Sequence, residues 1–587
     1  MDVAQREKQM AEAEALLADG ALRASFAKGL FFGQYRDELL PPYPDVTADV
    51  EVNHAVEAVR RFCHASIDPV RIDREARIPD EVIRSLGQLG VLGACLPKHV
   101  GGRGFRQLAY CRMIEVIGGH CGGTALFVNA HHSIGPRAIV LFGTRTQQDR
   151  YLPKLATGEW LSAFALTERE AGSDAANVQT TATPTLDGTG YRLNGEKRWI
   201  TNGGIAHVLT VMARTPVARS SDTKITAFIV TPDMPGFEVL EARMDKCGVR
   251  GSATGRLAFR DMFVPKENIL GRLGQGLKVA LTVLDFGRTT FGASCSGAAK
   301  FCVERAFRHA QERVQFAQPL ASFELVKEKL AYMAAGAFAM ESATYQTAAL
   351  IDADNSDFMV ETAMLKVFAT EVLWRIINDT IQIYGGKAYF TDEPFERMMR
   401  DARINMIGEG ANDVMRVFVA LVGMREVGLE LKGVVDALAS PFSNLGTLGT
   451  FAGRRLNSLF SAPAVRIRNL ELDEDATRQG ALVKTLATQV DRLLRRYQES
   501  IFDRQYQLGR VADAAIELYV SACVLARIDR MLSDHHLPAE ERRRGLSTGR
   551  YYLATAARRV RRHLADLWDN CDSETTAAAD QFSLEPR

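Results

Sequence analysis

The segment Gln382 to Arg416, QIYGGKAYFTDEPFERMMRDARINMIGEGANDVMR, sets one carboxylate, Glu409, between Gly408 and Gly410. Flanking glycines give such a side chain little cover and let backbone and ligand come close. The chemistry that follows is proton abstraction by a carboxylate base. Taken alone, the turn fits equally a solvated glutamate between two helices. A second stretch of polar and aromatic residues lies far upstream, FALTEREAGSDAANVQTTATPTLDGTGYRLNGEKRWITNG, from Phe164 to Gly203. No metal chemistry is indicated, because the nine cysteines are scattered without a CxxC pair.

These residues need elements to hold them, and the chain is long enough for several domains: 587 residues, 47% hydrophobic and 24% charged. Residues 1–50 read as an arm, with an Ala/Glu-rich helical pattern and then SFAKGLFFGQ and PPYPDV. Residues 51–156 repeat apolar side chains at helical spacing and form a helical domain. Residues 157–271 change to short β-rich runs, HVLTVMART, KITAFIVTP and GRLAFRDMFVP, broken by Gly, Pro, Asp and Ser, and form a β domain. Long helical patterns return over 272–427 and imply a bundle. Residues 428–587 are a further helical region. Within it, segment 441–466 carries Leu445, Leu448, Ala452, Leu456, Leu459 and Phe460 away from Arg454 and Arg455, the pattern of an interfacial amphipathic helix or of a helix packed on its own domain.

Several classes are excluded. With 72 basic against 71 acidic residues, no global field attracts nucleic acid. The basic run from Arg542, RRRGLSTGRYYLATAARRVRR, reads as a solvated face or a subunit contact. The first twenty residues are rich in acids and show no targeting pattern. No run of about 18 apolar residues reaches bilayer length, so the expected location is cytoplasmic, peripheral on the inner membrane if segment 441–466 touches lipid. No strand precedes a GxGxxG, so a nucleotide cofactor cannot be held in the Rossmann manner.

The segment ending in IGEG resembles one signature of the acyl-CoA dehydrogenases. The FxLTE, AGSD and KxWITNG elements of the upstream stretch resemble the other, in the family's order and spacing. The resemblance covers nearly the whole chain, through AHHSIG, LFGT, YLPKLATGE, FVALVG and ADAAIELYV. Length beyond Arg425 makes it most similar to the very-long-chain group, which carries an extra C-terminal helical domain. The implied fold is mostly α, multidomain (α+β): a helical N-terminal domain, a middle β-barrel, a C-terminal four-helix bundle and the extra helical domain.

The resemblance implies a site as well. Glu409 would abstract the α-proton of a fatty acyl-CoA, and the β-hydrogen would pass to FAD, giving trans-2-enoyl-CoA. The flavin would lie between the β domain and the bundle, against a second subunit of a homodimer. Phe164, Leu166, Thr167, Trp199, Ile200 and Thr201 would face the flavin, with Ser173 between flavin and substrate. Arg313, with Gln315 and Phe316, would reach a flavin diphosphate across the subunit boundary. Gln382, Tyr384, Gly385 and Gly386 would surround the adenine half, and Asn412 and Asp413 would follow the base toward the cofactor.

Asp285, Arg288 and Gly410 would face the acyl-CoA. Gly287 matters because some branched-chain members place their catalytic Glu near it, so glycine there favours the straight-chain arrangement. Phe127 and Asn129 are candidates to limit the acyl tunnel, Phe127 fitting ordinary core as well. Departures from the family pattern are Ala317 for Gly, Lys327 for Gln and Ala411 for Thr, with Lys327 still able to face a diphosphate. Electron-transferring flavoprotein would be the acceptor. The rival expectations are a non-catalytic assembly protein on this fold and an acyl-CoA oxidase.

Overall fold

The structure is a computed structural model that describes residues 24–216, 223–354, 357–439 and 461–582. The leading stretch of the arm and segment 441–466 up to position 460 lie outside the described residues. The chain divides into two compact units. The first holds Pro44–Asp354 and Phe368–Ala411, and the second holds Ala24–Tyr43, residues 357–367 and the described part of 412–582.

In the first unit, helices Val50–Ser66, Pro69–Glu75, Asp80–Gln88, Gln107–His120, Gly122–Asn129, Gly135–Phe142 and Arg145–Thr157 precede the strands. Their starts are written locally. Asp49 and Asp68 accept from the first free backbone N–H groups of their helices, and Thr144 with Gln147 forms a reciprocal capping box. Helix Gln107–His120 lies against the 37-residue helix Gly276–Glu312 at very short range: a Cβ on Gly297 would stand 1.9 Å from the Glu115 carbonyl oxygen. That contact fixes the long helix that carries Asp285, Gly287 and Arg288.

A π-helical turn, Ala130–Ile134, follows Asn129 directly. Such turns concentrate at functional sites. Two buried histidines hold it. Ser162 N–H donates to His131 Nδ1 at 3.2 Å while Nε2 reaches the Leu155 carbonyl at 3.1 Å, and Cys95 N–H donates to His132 Nε2 at 3.1 Å while Nδ1 reaches the Leu92 carbonyl at 3.0 Å. Burial pushes His131 down to about 4 and His132 well below its ordinary value, so both rings stay neutral and keep one accepting nitrogen.

The middle domain corrects one expectation. It is an open mixed sheet of eight strands, not a closed barrel: β1 Ser162–Ala165, β2 Thr181–Pro184, β3 Gly190–Ile200, β4 Val208–Pro216, β5 Thr223–Val230, β6 Phe237–Glu241, β7 Gly255–Pro265 and β8 Ile269–Leu270. The order is β6-β7-β3-β2-β4-β5-β8, with β1 and β2 both parallel to β4. Among the described residues, β6 and β8 do not pair with each other. The β6 edge is exposed and charged, with Glu238 on Arg260 at 2.9 Å and Glu241 near Arg256 at 3.7 Å, a composition that keeps a strand edge in water. The sheet is buried on both faces: Leu209, Val211 and Ala213 of β4 join one core, Val208 and Met212 the other. This accounts for the nearly continuous apolar run of β4.

The second unit is helical, with Asn412–Ala439, Asp473–Tyr497, Gln505–Ser533 and Ala539–Ala565 as its long elements. Helix Gln505–Ser533 is its core, burying Leu508, Val511, Leu518, Tyr519 and Val524. The basic run is partly consumed internally, Arg559 pairing with Glu517 at 2.5 Å and Arg550 with Asp475 at 3.3 Å. No helix among the described residues is long and apolar enough to cross a membrane.

Glu361 of this unit is fully buried and accepts from Ser25 Oγ at 2.7 Å and Ala27 N–H at 2.9 Å. Burial raises it to about 7, above its ordinary value of 4.5. The folded state therefore binds this proton more tightly than the unfolded chain. Its contribution to stability is full below the unfolded value and is lost as pH rises through about 7, at about 1.4 kcal/mol per pH unit between the two. We expect Glu361→Gln to remove this dependence, which melting temperatures of both proteins from pH 5 to 8 will check: a difference constant with pH contradicts it.

Candidate active site

Glu409 sits in the turn between the short helical segment Ile404–Met406 and helix Asn412–Ala439, with φ 55°. Side chains other than glycine reach this left-handed conformation at a cost of roughly 1–2 kcal/mol, so it marks a constrained position. The carboxylate is half-buried rather than open. Asn129 Nδ2 donates to its Oε1 at 3.2 Å, and Arg288 Nε donates to its backbone carbonyl at 3.4 Å. Arg288 is itself buried and pairs with Asp285 at 2.8 Å, one turn back on helix Gly276–Glu312. Gly287 completes the cluster, since a Cβ there would lie 2.4 Å from Glu409 Oε2.

A cavity of about 50 Å³ adjoins this cluster, lined by Ala125, Asn129, Thr290, Phe291, Asp401 and Asn405 among others. Asn129 lines it; Phe127 does not, being buried in the helical core. Burial pushes Asp401 up to about 6, although its Oδ1 accepts from Val249 N–H at 2.5 Å.

A second group forms where β1 ends and β3 ends. Phe164 and Leu166 are buried and Thr167 and Thr201 half-buried, and Arg198 N–H donates to the Thr167 carbonyl at 3.0 Å. Trp199 is half exposed with φ 60°, a strained conformation for an aromatic residue. Ser173 is exposed on the loop between β1 and β2. Beneath this group lies an ion pair: Lys197 Nζ donates to Glu168 Oε1 at 2.6 Å and to the Leu166 carbonyl at 2.9 Å. Asn202, just past β3, donates to the Phe127 carbonyl at 3.1 Å and so ties this group to the helix that ends in Asn129.

The third group lies at the C-terminal end of helix Gly276–Glu312. Arg313, Gln315, Phe316 and Lys327 are exposed, as are Gln382, Gly385 and Gly386. Tyr384 donates to the Arg305 carbonyl at 3.1 Å and stacks on His309, ring centres 4.1 Å apart. Phe316 and Ala317 link β9 Val314–Gln315 to β10 Gln318–Pro319 with φ 51° and 63°, both positive as in a type I′ turn. Ala317 thus replaces glycine where glycine is least strained. Asn412 and Asp413 belong to the second unit, Asn412 accepting from Lys366 Nζ at 2.8 Å.

These groups suit a flavin dinucleotide. Trp199 and Thr201 offer a ring face and a hydroxyl, and Arg198, its guanidinium over the Trp199 ring, has a buried Nε with no hydrogen-bond partner among the described residues. Arg313 and Lys327 are exposed cations of the kind that pairs with a diphosphate, and the space where Cβ atoms on Gly385 and Gly386 would project is open. No group of His, Cys, Asp or Glu among the described residues is placed to hold a metal ion. Sequence reasoning missed Thr290 and the Lys197–Glu168 pair, and it took Asn129 only for a tunnel residue. The one signal for the ion pair was a Glu and a Lys inside the two most patterned upstream motifs.

The chain matches the N-terminal, middle and C-terminal domains of acyl-CoA dehydrogenase over 51–159, 163–262 and 274–423, and the ACAD9/ACADV C-terminal domain over 470–585. It is 37% identical to the human mitochondrial very long-chain specific acyl-CoA dehydrogenase over 92% of this chain and 84% of that protein. It is 33% identical to the probable acyl-CoA dehydrogenase FadE10 of Mycobacterium bovis, over 97% and 89%. An acyl-CoA dehydrogenase from Bacillus anthracis, solved with FAD, superimposes with TM-score 0.79 at 28% identity, covering 95% of this chain and 94% of that one.

Proposed function

Because the chain belongs to the acyl-CoA dehydrogenase family and is an FAD-dependent acyl-CoA dehydrogenase, we propose that it oxidises long, straight-chain fatty acyl-CoA with Glu409 as the base. The observation that carries this is the Glu409 carboxylate fixed between the Asn129 amide and the space left by Gly287, with Arg288 holding the turn. In the step, the Cα–H bond breaks, the proton goes to the Glu409 carboxylate, and the electron pair delocalises onto the thioester carbonyl oxygen. The Glu409 backbone N–H is the donor proposed for that oxygen, since such an acid is weak unless its developing charge is hydrogen-bonded. Bound FAD supplies the acceptor for the hydride that leaves Cβ.

Apolar lining at Ala125, Leu126 and Phe291 supports a hydrocarbon chain in the adjoining cavity. Likeness to the very long-chain enzymes and the additional C-terminal domain support the longer substrates. We assign the flavin contacts to Phe164, Leu166, Thr167, Trp199, Ile200 and Thr201, and the diphosphate to Arg313 of a second copy in a homodimer. Electron-transferring flavoprotein is the proposed acceptor, and segment 441–466 the proposed contact with a membrane surface.

Anaerobic titration of the purified holoprotein with saturated acyl-CoAs from short to very long tests the proposal. Flavin bleaching greatest with the long members supports it, and bleaching confined to short ones corrects the chain length. No bleaching with FAD bound overturns it in favour of an assembly protein. Rapid reaction of the reduced product complex with oxygen would make it an oxidase.

A further inference from the structure

Resting on the assignment of Glu409 as base, we propose that Asn129, oriented by Thr290, is a positioning residue that holds one carboxylate oxygen of Glu409 and lowers its affinity for a proton. Asn129 is buried at the last position of helix Gly122–Asn129, where the π-helical turn begins. Its Nδ2 faces Glu409 Oε1 at 3.2 Å, and on the other side its Oδ1 accepts a short hydrogen bond from Thr290 Oγ1. Thr290 is fully buried on helix Gly276–Glu312, and its hydroxyl also lies 3.2 Å from Ser133 Oγ, which stands 3.4 Å from the Tyr110 hydroxyl. A chain of buried polar groups thus runs from Tyr110 to the carboxylate.

Donor and acceptor capacity fixes the direction of this chain. An ionised carboxylate only accepts, so the amide must turn its NH₂ toward Glu409. The amide oxygen then needs a donor, and Thr290 supplies its single proton. With the amide reversed, its oxygen would face the carboxylate oxygen, so the ionised base itself sets the orientation, while Thr290 could still donate to the Gly287 carbonyl at 2.8 Å. By giving its proton to Asn129 Oδ1, Thr290 supports the amide orientation that favours the ionised base.

Asn129 and Ser133, four residues apart across the start of the π-helical turn, both address Thr290. His131 and His132, which hold that turn, point to Leu155, Ser162, Leu92 and Cys95 and remain neutral. The charged groups packed around the base are Arg288 and Asp285 on helix Gly276–Glu312 and, across the cavity, Asp401 on helix Phe395–Arg403. None of these is altered by the substitutions that follow.

A hydrogen bond to the charged form of a carboxyl lowers its pKa, and deleting it raises the value. The test is an isotope-edited infrared titration of the Glu409 carboxyl in the holoenzyme, the band being assigned by its loss in Glu409→Gln. We expect the midpoint to rise by about one pH unit, a tenfold gain in proton affinity, in both Asn129→Ala and Thr290→Val. The acid limb of kcat/KM should move with it, and Thr290→Ser should keep the wild-type midpoint. Midpoints of Asn129→Ala and Thr290→Val that coincide with wild type or fall below it overturn the proposal. If Asn129→Ala does not fold, the Thr290→Val and Thr290→Ser pair decides. Turnover that survives in Glu409→Gln would overturn the base assignment instead, and the infrared titration would still decide the hydrogen bond.

Discussion

Replacing Glu409 by Gln is expected to lower kcat by about 10²–10⁴-fold, the range over which a positioned general base contributes, while the protein stays yellow. The amide of Gln fills the same volume, so Asn129, Gly287 and Arg288 keep their surroundings. Binding of acyl-CoA should survive with little change in Kd, because the lost interaction belongs to the transition state. Stopped-flow bleaching measures the step directly. Unchanged bleaching in the variant would mean that another group takes the α-proton.

The largest expected loss of stability comes from Lys197→Met. Lys197 is fully buried, and burial depresses its ammonium to about 8, only partly opposed by Glu168. Burial would raise Glu168, but Lys197 together with the Thr180 hydroxyl and the Thr180 and Gln179 N–H groups pulls it below its usual range. Both partners are therefore charged near neutrality. Removing the cation strands a buried carboxylate and frees the Leu166 carbonyl, at a cost of about 3–5 kcal/mol. Adding Glu168→Gln to Lys197→Met should recover part of that loss, which is the signature of a coupled pair. Urea unfolding of the two single variants and the double variant measures the coupling; additive losses would contradict it.

Helix and strand types were legible because their periods are local. The 37-residue helix Gly276–Glu312 reads directly as a run of apolar residues at helical spacing, with Asp285 and Arg288 one turn apart and Gly287 beside Arg288. The open sheet was not legible. Whether the last strand closes on the first depends on pairing between distant segments, and the charged pairs along β6 become a visible edge only once Arg256 and Arg260 are placed beside it. The bonds that Asn129 makes to Thr290 and to Glu409 escaped for a related reason. A single Asn and a single Thr on apolar helices look like ordinary buried polar residues until the fold brings them within hydrogen-bonding distance of the turn at Glu409. Motifs pointed to Glu409 as the proposed base, but packing supplied what surrounds it.

The close approach of Gly287 to the carboxylate of Glu409 has an evolutionary consequence. Two positions far apart in the chain compete for one volume, since a Cβ on the first would already stand 2.4 Å from Oε2 of the second. A lineage that moves its base from one position to the other cannot do so by accumulating tolerable single steps. Gaining the new glutamate first crowds two carboxylates together, and losing the old one first leaves no base at all. In this chain a carboxylate at position 287 and the one at position 409 therefore exclude each other, and only a paired change could exchange them.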